Sequence, residues 1–223
     1  MNASPGGEPF SSPDWIYEIK FDGYRCLAGI EAEAKAKPET EEARREYAAS
    51  RVCLHTKSGA SCGRWFPELL EPLADLPGGP HVLDGEACVL REDGTSDFNL
   101  FQTRARHRRW YEGAPLVSYA IFDILIHNGR KVMNLPLMRR KALLQELLGE
   151  QSRPRLLLVK ELPAQAALFH SMTLPEDQGG VGLQIEGVVA KRKDSVYLPG
   201  VRSPDWKKIK RPGWDADRRW RSR

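Results

Sequence analysis

Apolar and polar residues alternate along the stretch from residue 15 to residue 22. One set of positions is apolar and the other is charged: Trp15, Tyr17, Ile19 and Phe21 against Glu18, Lys20 and Asp22. Because side chains two residues apart share one face of a β-strand, the pattern predicts a strand whose polar face holds a lysine between two carboxylates. Gly23 then allows a turn. Taken alone, the stretch also fits an edge strand with a solvated charged face.

Hydrophobic spacing divides the rest of the chain into strands and helices. Two strands are predicted within residues 15–30, and further strands over residues 51–57, 82–90, 116–126, 156–159, 184–191 and 206–210. Helices are predicted over residues 66–76, 96–108, 137–148 and 164–172, the second of them capped by Ser96. Pro136 and Gly149 bracket the third helix, and Asn128-Gly129 indicates a tight turn. The order of elements predicts an α+β fold with antiparallel sheets flanked by helices.

Composition suggests three segments along the chain. Residues 1–13 are rich in Gly, Ser and Pro and are expected to be a flexible leader; residues 14–211 form the folded domain, and residues 212–223 form a basic tail. Residues 31–50 consist almost entirely of Ala, Glu, Lys and Arg. They fit either a solvated helix or a mobile charged insert.

The charge of the chain is mildly basic and unevenly distributed. The 223 residues carry a net charge of +4, and from residue 191 onward twelve Lys or Arg face four acids. Such clusters suit phosphate backbones, although a second basic run over residues 104–109 is expected to be a solvated helix face rather than a DNA contact. The four cysteines form no Cys-x-x-Cys pair, which argues against a zinc site or a disulfide framework. No stretch reaches membrane-spanning length, so we expect a soluble cytoplasmic protein.

Charged residues also interrupt four otherwise apolar strands further along the chain. They occur in Leu83-Asp84-Gly85-Glu86, in Phe122-Asp123, in Glu186-Gly187-Val188-Val189-Ala190-Lys191 and in Lys208-Ile209-Lys210. Burying such charges is costly unless they pair or bind a ligand. Together with the stretch around Lys20, they predict a polar pocket.

In this order, the five stretches resemble the motifs of the covalent nucleotidyltransferase superfamily: ATP-dependent DNA ligases, RNA ligases and capping enzymes. Lys20-Phe21-Asp22-Gly23 is similar to the first motif, and Lys208-Ile209-Lys210 is similar to the fifth. The residues at these motif positions are most similar to those of bacterial ligases of non-homologous end joining, and the resemblance spans about residues 15–210. It implies a nucleotidyltransferase fold, the ATP-grasp-like core of ligases, in a bacterial, nucleoid-associated protein.

The resemblance assigns a role to each candidate site residue. It implies that Lys20 attacks the α-phosphate of ATP and forms a covalent lysyl–AMP, and that Asp22 and Glu186 bind Mg²⁺ or Mn²⁺. The amine must lose its proton before attack, and nearby cations favour the neutral form. The nucleotide contacts that it implies are Glu18 near the base, Arg25 at the phosphate or ribose, Lys57 in the position of an arginine, Glu86 near the ribose or metal, Phe122 stacked on adenine, and Lys191, Lys208 and Lys210 at the phosphates.

Some residues in these motifs have two interpretations at this stage. Asp123 either holds a turn or takes part in the chemistry, and Lys191 is either a surface cation or a phosphate ligand. We expect Asp84 to be structural and Trp206 to lie in the core rather than to stack on nucleic acid.

The sequence departs from the family pattern at two places. Thr56-Lys57-Ser58-Gly59 stands where the family has a Ser-Arg-x-Gly stretch, so a lysine replaces the bidentate fork of an arginine. Thirteen residues follow Lys210, which leaves no room for the oligonucleotide-binding barrel that follows the fifth motif in such ligases. We therefore expect a catalytic core alone.

Three functions follow from the resemblance. The first is an ATP-dependent DNA ligase core that adenylates itself and seals nicked or broken double-stranded DNA, with end-joining proteins or a separate barrel domain as partners and no membrane. The second is a nucleotide- or DNA-end-binding module that does not ligate without that barrel. The third is RNA ligation or guanylyl transfer.

Overall fold

Hydrogen bonds between strands form two separate sheets in the computed structural model, which describes residues 1–34, 38–149 and 153–214. The strands are β1 (Asn2–Pro5), β2 (Trp15–Ile19), β3 (Tyr24–Ile30), β4 (Val52–Thr56), β5 (His81–Val89), β6 (Val117–His127), β7 (Arg130–Lys131), β8 (Leu156–Leu158), β9 (Leu162–Pro163), β10 (Gly187–Arg192) and β11 (Arg202–Lys210). The α-helices are α1 (Glu41–Arg51), α2 (Leu70–Ala74), α3 (Phe98–Arg106), α4 (Leu137–Leu148) and α5 (Ala166–Thr173). Backbone contacts divide the chain into a first unit, Met1–Phe21 with Lys160–Arg223, and a second unit, Asp22–Val159.

The sheet of the first unit has five strands in the order β1-β11-β10-β2-β9. Strand β10 pairs antiparallel with both β2 and β11, with Ala190 opposite Tyr17 and Val188 opposite Ile209. These side chains are buried together with Phe169 of α5 in a small core. Because facing residues of paired strands project to the same side, Tyr17 and the partly buried Trp15 of the 15–22 alternation pack on this side of the sheet.

The first residues of the chain do not form the flexible leader that composition predicted. Residues 2–5 form β1, which runs parallel to β11, and Asn2 pairs with Arg202. Met1 is 3% exposed and Ala3 is 6% exposed. The strand is therefore stabilised by pairing with a segment about two hundred residues away, which local composition does not reveal. Of the predicted basic tail, residues 215–223 lie outside the described residues.

The second unit contains a six-stranded sheet in the order β4-β3-β5-β6-β7, with β8 parallel to β6. Its large core includes Phe66, Phe101 and Tyr119 among many buried aliphatic residues. Helix α4 matches the predicted bounds, and Gly149 after it has a φ of +67°. The Asn128-Gly129 turn joins β6 to β7 as predicted, and both residues have positive φ values.

Local predictions differ from the structure at two further places. Strands β2 and β3 flank the Asp22-Gly23 turn as expected, but they belong to different sheets. Asp97 rather than Ser96 caps α3, because the Asp97 carboxylate accepts hydrogen bonds from the backbone N–H groups of Asn99 and Leu100. Ser96 instead accepts a hydrogen bond from the backbone N–H of Asp22 at 2.9 Å.

The charged insert around residues 31–50 contains helix α1, capped by Thr40. This supports the helix interpretation for residues 41–51, whereas residues 35–37 lie outside the described residues. Arg51 at its end is buried and donates hydrogen bonds to backbone carbonyls, among them that of Gly78 at 2.7 Å. Within the residues described, no helix is long and apolar enough to cross a membrane.

The basic run over residues 104–109 is only partly a solvated helix face. Arg104 is fully buried, and its guanidinium lies 3.3 Å from the Glu68 carboxylate. The expectation is therefore wrong for Arg104, because an acid from a distant segment compensates its charge. Arg106, Arg108 and Arg109 are exposed.

His81 is buried at the start of β5, where both ring nitrogens have backbone partners. Its Nδ1 accepts a hydrogen bond from the N–H of Asn128 at 3.3 Å, and its Nε2 lies 2.9 Å from the carbonyl of Pro77. Burial is the main cause that lowers the pKa of His81 from the usual 6.5, and the ring of His127 5.2 Å away adds to the effect. The imidazole is therefore held neutral, with its proton on Nε2.

Candidate active site

The polar side of the first unit's sheet gathers the charged residues of three motifs. Val189 of β10 lies between Glu18 of β2 and Lys208 of β11, so these side chains share one face. Lys191, two residues from Val189, and Lys210, two residues from Lys208, project from the same face. Lys208 and Lys210 thus share a strand face, and both side chains are exposed.

Lys20 follows β2 and continues its pairing with β10. Its backbone N–H donates to the carbonyl of Gly187 at 3.0 Å, and its Nζ forms an ion pair with Oε2 of Glu186. The Lys20 side chain is 18% exposed, whereas that of Glu186 is 3% exposed. A buried carboxylate therefore holds an amine that solvent or a ligand can still reach.

Gly187, next to Glu186, allows β10 to approach β11 closely. Its φ is +146°, and a Cβ at this position would lie 2.1 Å from the carbonyl oxygen of Ile209. Only glycine avoids both the strained positive φ and the steric clash. The glycine of this motif is therefore required by backbone packing beside the residue that holds Lys20.

Glu18 and Lys191 form a second ion pair on the same face. Both side chains are 2% exposed, and Lys191 Nζ lies 4.1 Å from the centre of a Trp206 ring. Lys191 is therefore not a surface cation. Trp206 is 2% exposed, which places it in the interior as expected.

The second unit places Arg25 beside a buried acid. Asp84 is fully buried and accepts hydrogen bonds from Arg25 Nε at 2.9 Å and from Nη2 at 2.5 Å. This bidentate pair fixes the plane of the guanidinium. Arg25 is opposite Glu86 in the β3–β5 pairing, and its guanidinium carbon lies 5.4 Å from the Phe122 ring centre. Asp84 thus acts as an orienting residue for a predicted nucleotide contact.

Phe122 occupies an irregular position in β6. Asp84 pairs with Asp123 and Gly85 pairs with Ile121, so Phe122 is the extra residue of a β-bulge. A bulge redirects a side chain out of the regular alternation, and such features are common beside active sites. The bulge lets Phe122 reach Arg25.

Asp123, next to Phe122, forms a bidentate ion pair with Arg140 of α4, at 2.8 and 2.9 Å. Both side chains are fully buried. Of the two interpretations left open by the sequence, the structure supports the structural one, because this carboxylate joins a helix to the sheet.

Lys57 and Arg25 line an open pocket of about 610 Å³ in the second unit, together with Trp65 and Arg108. The backbone N–H of Lys57 donates to the carbonyl of Arg25 at 2.9 Å. Gly23 also lines the pocket, and a Cβ there would lie 2.0 Å from the carbonyl oxygen of Ala87. Sequence reasoning did not single out Trp65, and it considered Arg108 only as part of the basic run over residues 104–109; both lie outside the five motifs.

Asp22 and Glu186, the predicted metal ligands, are 6% and 3% exposed. They belong to different units, and within the described residues no group of three or more His, Cys, Asp or Glu could hold a metal ion. Mg²⁺ in nucleotide enzymes is commonly bound by one or two carboxylates together with phosphate oxygens. Each of the two is a carboxylate of the type that Mg²⁺ accepts as a ligand.

Residues 7–210 match the sequence model of a family described as "ATP dependent DNA ligase domain". The chain therefore belongs to the ATP-dependent DNA ligase domain family. The match confirms the predicted family and enzyme class.

Particular relatives come from bacterial end-joining proteins. The chain is 32% identical over 205 residues to "Multifunctional non-homologous end joining DNA repair protein LigD" of Mycobacterium tuberculosis (strain ATCC 25618 / H37Rv), covering 88% of this chain and 21% of that protein. It is 26% identical over 202 residues to the SPbeta prophage-derived DNA ligase-like protein LigB of Bacillus subtilis (strain 168), covering 91% of this chain and 63% of that protein. The chain thus spans about a fifth of the length of the LigD relative.

Solved structures agree with the sequence comparison. The ligase domain of M. tuberculosis LigD matches with a TM-score of 0.67 at 30% identity, covering 94% of this chain and 59% of that one. A mycobacterial DNA ligase D complexed with ATP and MES matches with the same TM-score and identity. These likenesses confirm the predicted fold class.

Proposed function

We propose that this chain is the adenylation core of an ATP-dependent DNA ligase, with Lys20 as the nucleophile. The observation that carries the proposal is the ion pair between Lys20 and the buried Glu186. It lies on a sheet face that also presents the exposed Lys208 and Lys210. A reachable amine beside additional cations suits attack on a polyphosphate.

The chemistry assigned to this face is nucleotidyl transfer. The Lys20 ammonium loses its proton to solvent, and Nζ attacks the α-phosphorus of ATP. A nitrogen–phosphorus bond forms, the bond to the β-phosphate oxygen breaks, and pyrophosphate leaves. Lys208 and Lys210 offset the negative charge on the phosphates as the leaving group departs.

For residues of the second unit we propose the nucleoside contacts that the ligase family implies. Phe122 offers an aromatic face for the adenine, and Glu86 offers a carboxylate for the ribose. Asp84 orients Arg25, which reaches the ribose or phosphate side with Lys57. A divalent cation, Mg²⁺ or Mn²⁺, would neutralise phosphate charge when bound, and Asp22 and Glu186 are the carboxylates that we propose hold it.

The nucleic-acid steps follow from the family. The AMP passes from Lys20 to the 5′-phosphate at a break in duplex DNA, and the adjacent 3′-hydroxyl displaces AMP to close the strand. LigD relatives are named for non-homologous end joining, so we propose DNA repair by end joining as the process. End-joining proteins and an oligonucleotide-binding domain are the proposed partners.

Covalent labelling tests the first step. The protein is incubated with ATP labelled on the α-phosphate and Mg²⁺ or Mn²⁺, and the label retained after denaturation is measured. We expect the wild type to retain the label and the Lys20→Ala variant to carry none. Chelation of the divalent cation should also abolish labelling of the wild type. Lys160→Ala is a control because Lys160 is an exposed lysine outside the motifs. An unlabelled wild type would refute self-adenylation.

Strand joining is tested separately with pre-adenylated nicked DNA, which bypasses Lys20. Sealing by the wild type supports the ligase proposal, whereas binding without sealing supports the end-binding module. Parallel nicks in RNA duplexes, and labelling with GTP in place of ATP, test the RNA-ligase and guanylyl-transfer alternatives. Faster sealing of RNA than of DNA would contradict the DNA assignment.

A further inference from the structure

The second unit carries a cationic and aromatic surface that lies outside the ligase motifs. It consists of Trp65 with Arg106, Arg108 and Arg109, which we call the Trp65 surface. The guanidinium carbon of Arg108 lies 5.3 Å from the centre of the Trp65 ring. Trp65 is half-buried, while all three arginines are exposed. Arg108 thus places an accessible guanidinium against an anchored aromatic ring, and Arg106 and Arg109 are exposed close to it in the sequence.

The segment that follows helix α3 is held by the buried Arg104. Nη1 of Arg104 donates to the carbonyl of Arg109 at 2.6 Å. Its guanidinium carbon lies 5.7 Å from the Phe66 ring centre and 5.9 Å from that of Tyr111. The segment thus packs around the buried Arg104, whose positive charge is compensated by Glu68. A surface fixed in this way loses little conformational freedom on binding.

Arg108 adopts a backbone conformation that favours glycine. Its φ is +51°, and it follows the C-cap residue His107 at the position where helices commonly place glycine. A left-handed conformation is disfavoured for a non-glycine residue, and such strain is concentrated at functional sites. This backbone conformation, together with the contact to Trp65, singles out the Arg108 side chain.

The charged residues that line the pocket at this surface are all positive. Trp65 and Arg108 line the same open pocket of about 610 Å³ as Arg25 and Lys57, and none of its described lining residues is acidic. Among the residues that the structure describes, Arg106, Arg108 and Arg109 form no ion pair with a carboxylate. Guanidinium groups that bind phosphates, beside an aromatic ring, are the chemistry of a polynucleotide-binding groove.

We propose that the Trp65 surface binds the sugar–phosphate backbone of the DNA strand beside the break, with Arg108 and Arg109 contacting phosphates. The choice of DNA as the polynucleotide rests on the proposed function. Because Arg25 and Lys57 line the same pocket, a strand on this surface leads directly to groups that we assign to nucleotide contacts.

The test compares two double variants that each remove two positive charges. Arg108→Gly with Arg109→Ala removes the two proposed phosphate contacts, and glycine suits the backbone of position 108. Arg130→Ala with Lys131→Ala is the matched control. Both residues are exposed on β7, which is one edge strand of the second unit's sheet, whereas β4 is the other edge strand. Thermal melting establishes that each variant is folded.

Affinity for a fluorescent nicked DNA duplex is measured by anisotropy over a series of salt concentrations. Each lost phosphate contact reduces the slope of log affinity against log salt by about 0.9, so the Arg108/Arg109 variant should lose roughly 1.8. We expect its affinity to fall by roughly tenfold at low salt, while the control keeps the wild-type affinity and slope.

Three results would overturn the inference: wild-type affinity and slope in the Arg108/Arg109 variant, an equal loss in the Arg130/Lys131 control, or a loss seen only with an RNA duplex. Labelling of the wild type with ATP in the absence of DNA reports separately on Lys20. A failure of that labelling counts against the proposed function, whereas the anisotropy series decides the DNA-binding surface.

Discussion

The bidentate pair between Arg25 and Asp84 gives the sharpest test of how the second unit positions its proposed nucleotide contacts. We expect Asp84→Asn to lower the rate of covalent AMP labelling more than its effect on stability would explain. Asparagine keeps the volume and one oxygen acceptor, so Arg25 Nε retains a partner. The variant loses the charge-assisted bond from Nη2, which is 2.5 Å long in the native protein.

The expected cost follows from this geometry. A hydrogen bond between charged groups contributes about 1.5–3 kcal/mol, and the Arg25 side chain is 20% exposed, so water can partly compensate it. We therefore expect unfolding free energy to fall by about 2 kcal/mol. A freed guanidinium no longer holds its orientation, and misplacement of a substrate contact commonly reduces the rate on the order of 10- to 100-fold.

Asp123→Asn is the matched control, because Asp123 forms an equally bidentate pair with Arg140 in the same unit. Both of these side chains are fully buried, so breaking this pair should cost about 3–5 kcal/mol. Urea unfolding measures stability, and initial labelling rates are compared at a temperature where every variant is folded. The reasoning is refuted if folded Asp84→Asn labels at the wild-type rate, or if Asp123→Asn loses as much rate.

Three further predictions concern individual positions. Gly187→Ala should destabilise the protein by about 3 kcal/mol or more, since its methyl group would collide with the carbonyl of Ile209; urea unfolding measures this, and wild-type stability would contradict the clash. Because the pKa of His81 is lowered in the folded state, the unfolded state binds more protons, and stability should fall as pH drops below about 6.5. The melting temperature of His81→Gln should therefore change less with pH than that of the wild type. An equal pH dependence of the two melting temperatures would exclude the imidazole as the cause. Lys191→Met should reduce stability because its ion pair is buried, whereas Lys208→Met should reduce AMP labelling alone; equal melting temperatures for the two variants would contradict the difference in burial.

Local chemistry explains why several elements could be predicted. Pro136 and Gly149 define the ends of α4 because each acts on its own backbone, and Asn128-Gly129 favours the turn between β6 and β7 for the same reason. The alternation around Lys20 likewise gave the two faces of β2. These predictions depend on a few neighbouring residues and on no distant partner.

Pairing across the sequence explains what could not be predicted. Strand β1 exists because β11 pairs with it, and its Gly-, Ser- and Pro-rich surroundings carry no periodic signal. Arg104 was expected to face solvent because arginines on helices are usually exposed. Its burial is possible because Glu68, from a distant segment, compensates the charge. Alternation placed Lys20 and Glu18 on one face, but the partners Glu186 and Lys191 depend on the register between β2 and β10.

The acids that interrupt apolar strands have partners that differ in exposure, and this difference separates their roles. Asp123, Asp84 and Glu186 are all at most 3% exposed, but Arg140 is fully buried, whereas the side chains of Arg25 and Lys20 are 20% and 18% exposed. A cation without solvent access can only stabilise the fold, because no ligand reaches it. A cation that a buried carboxylate orients toward solvent remains available to a phosphate. The exposure of the cation, rather than that of the acid, therefore supports the nucleotide contacts that we propose for Lys20 and Arg25.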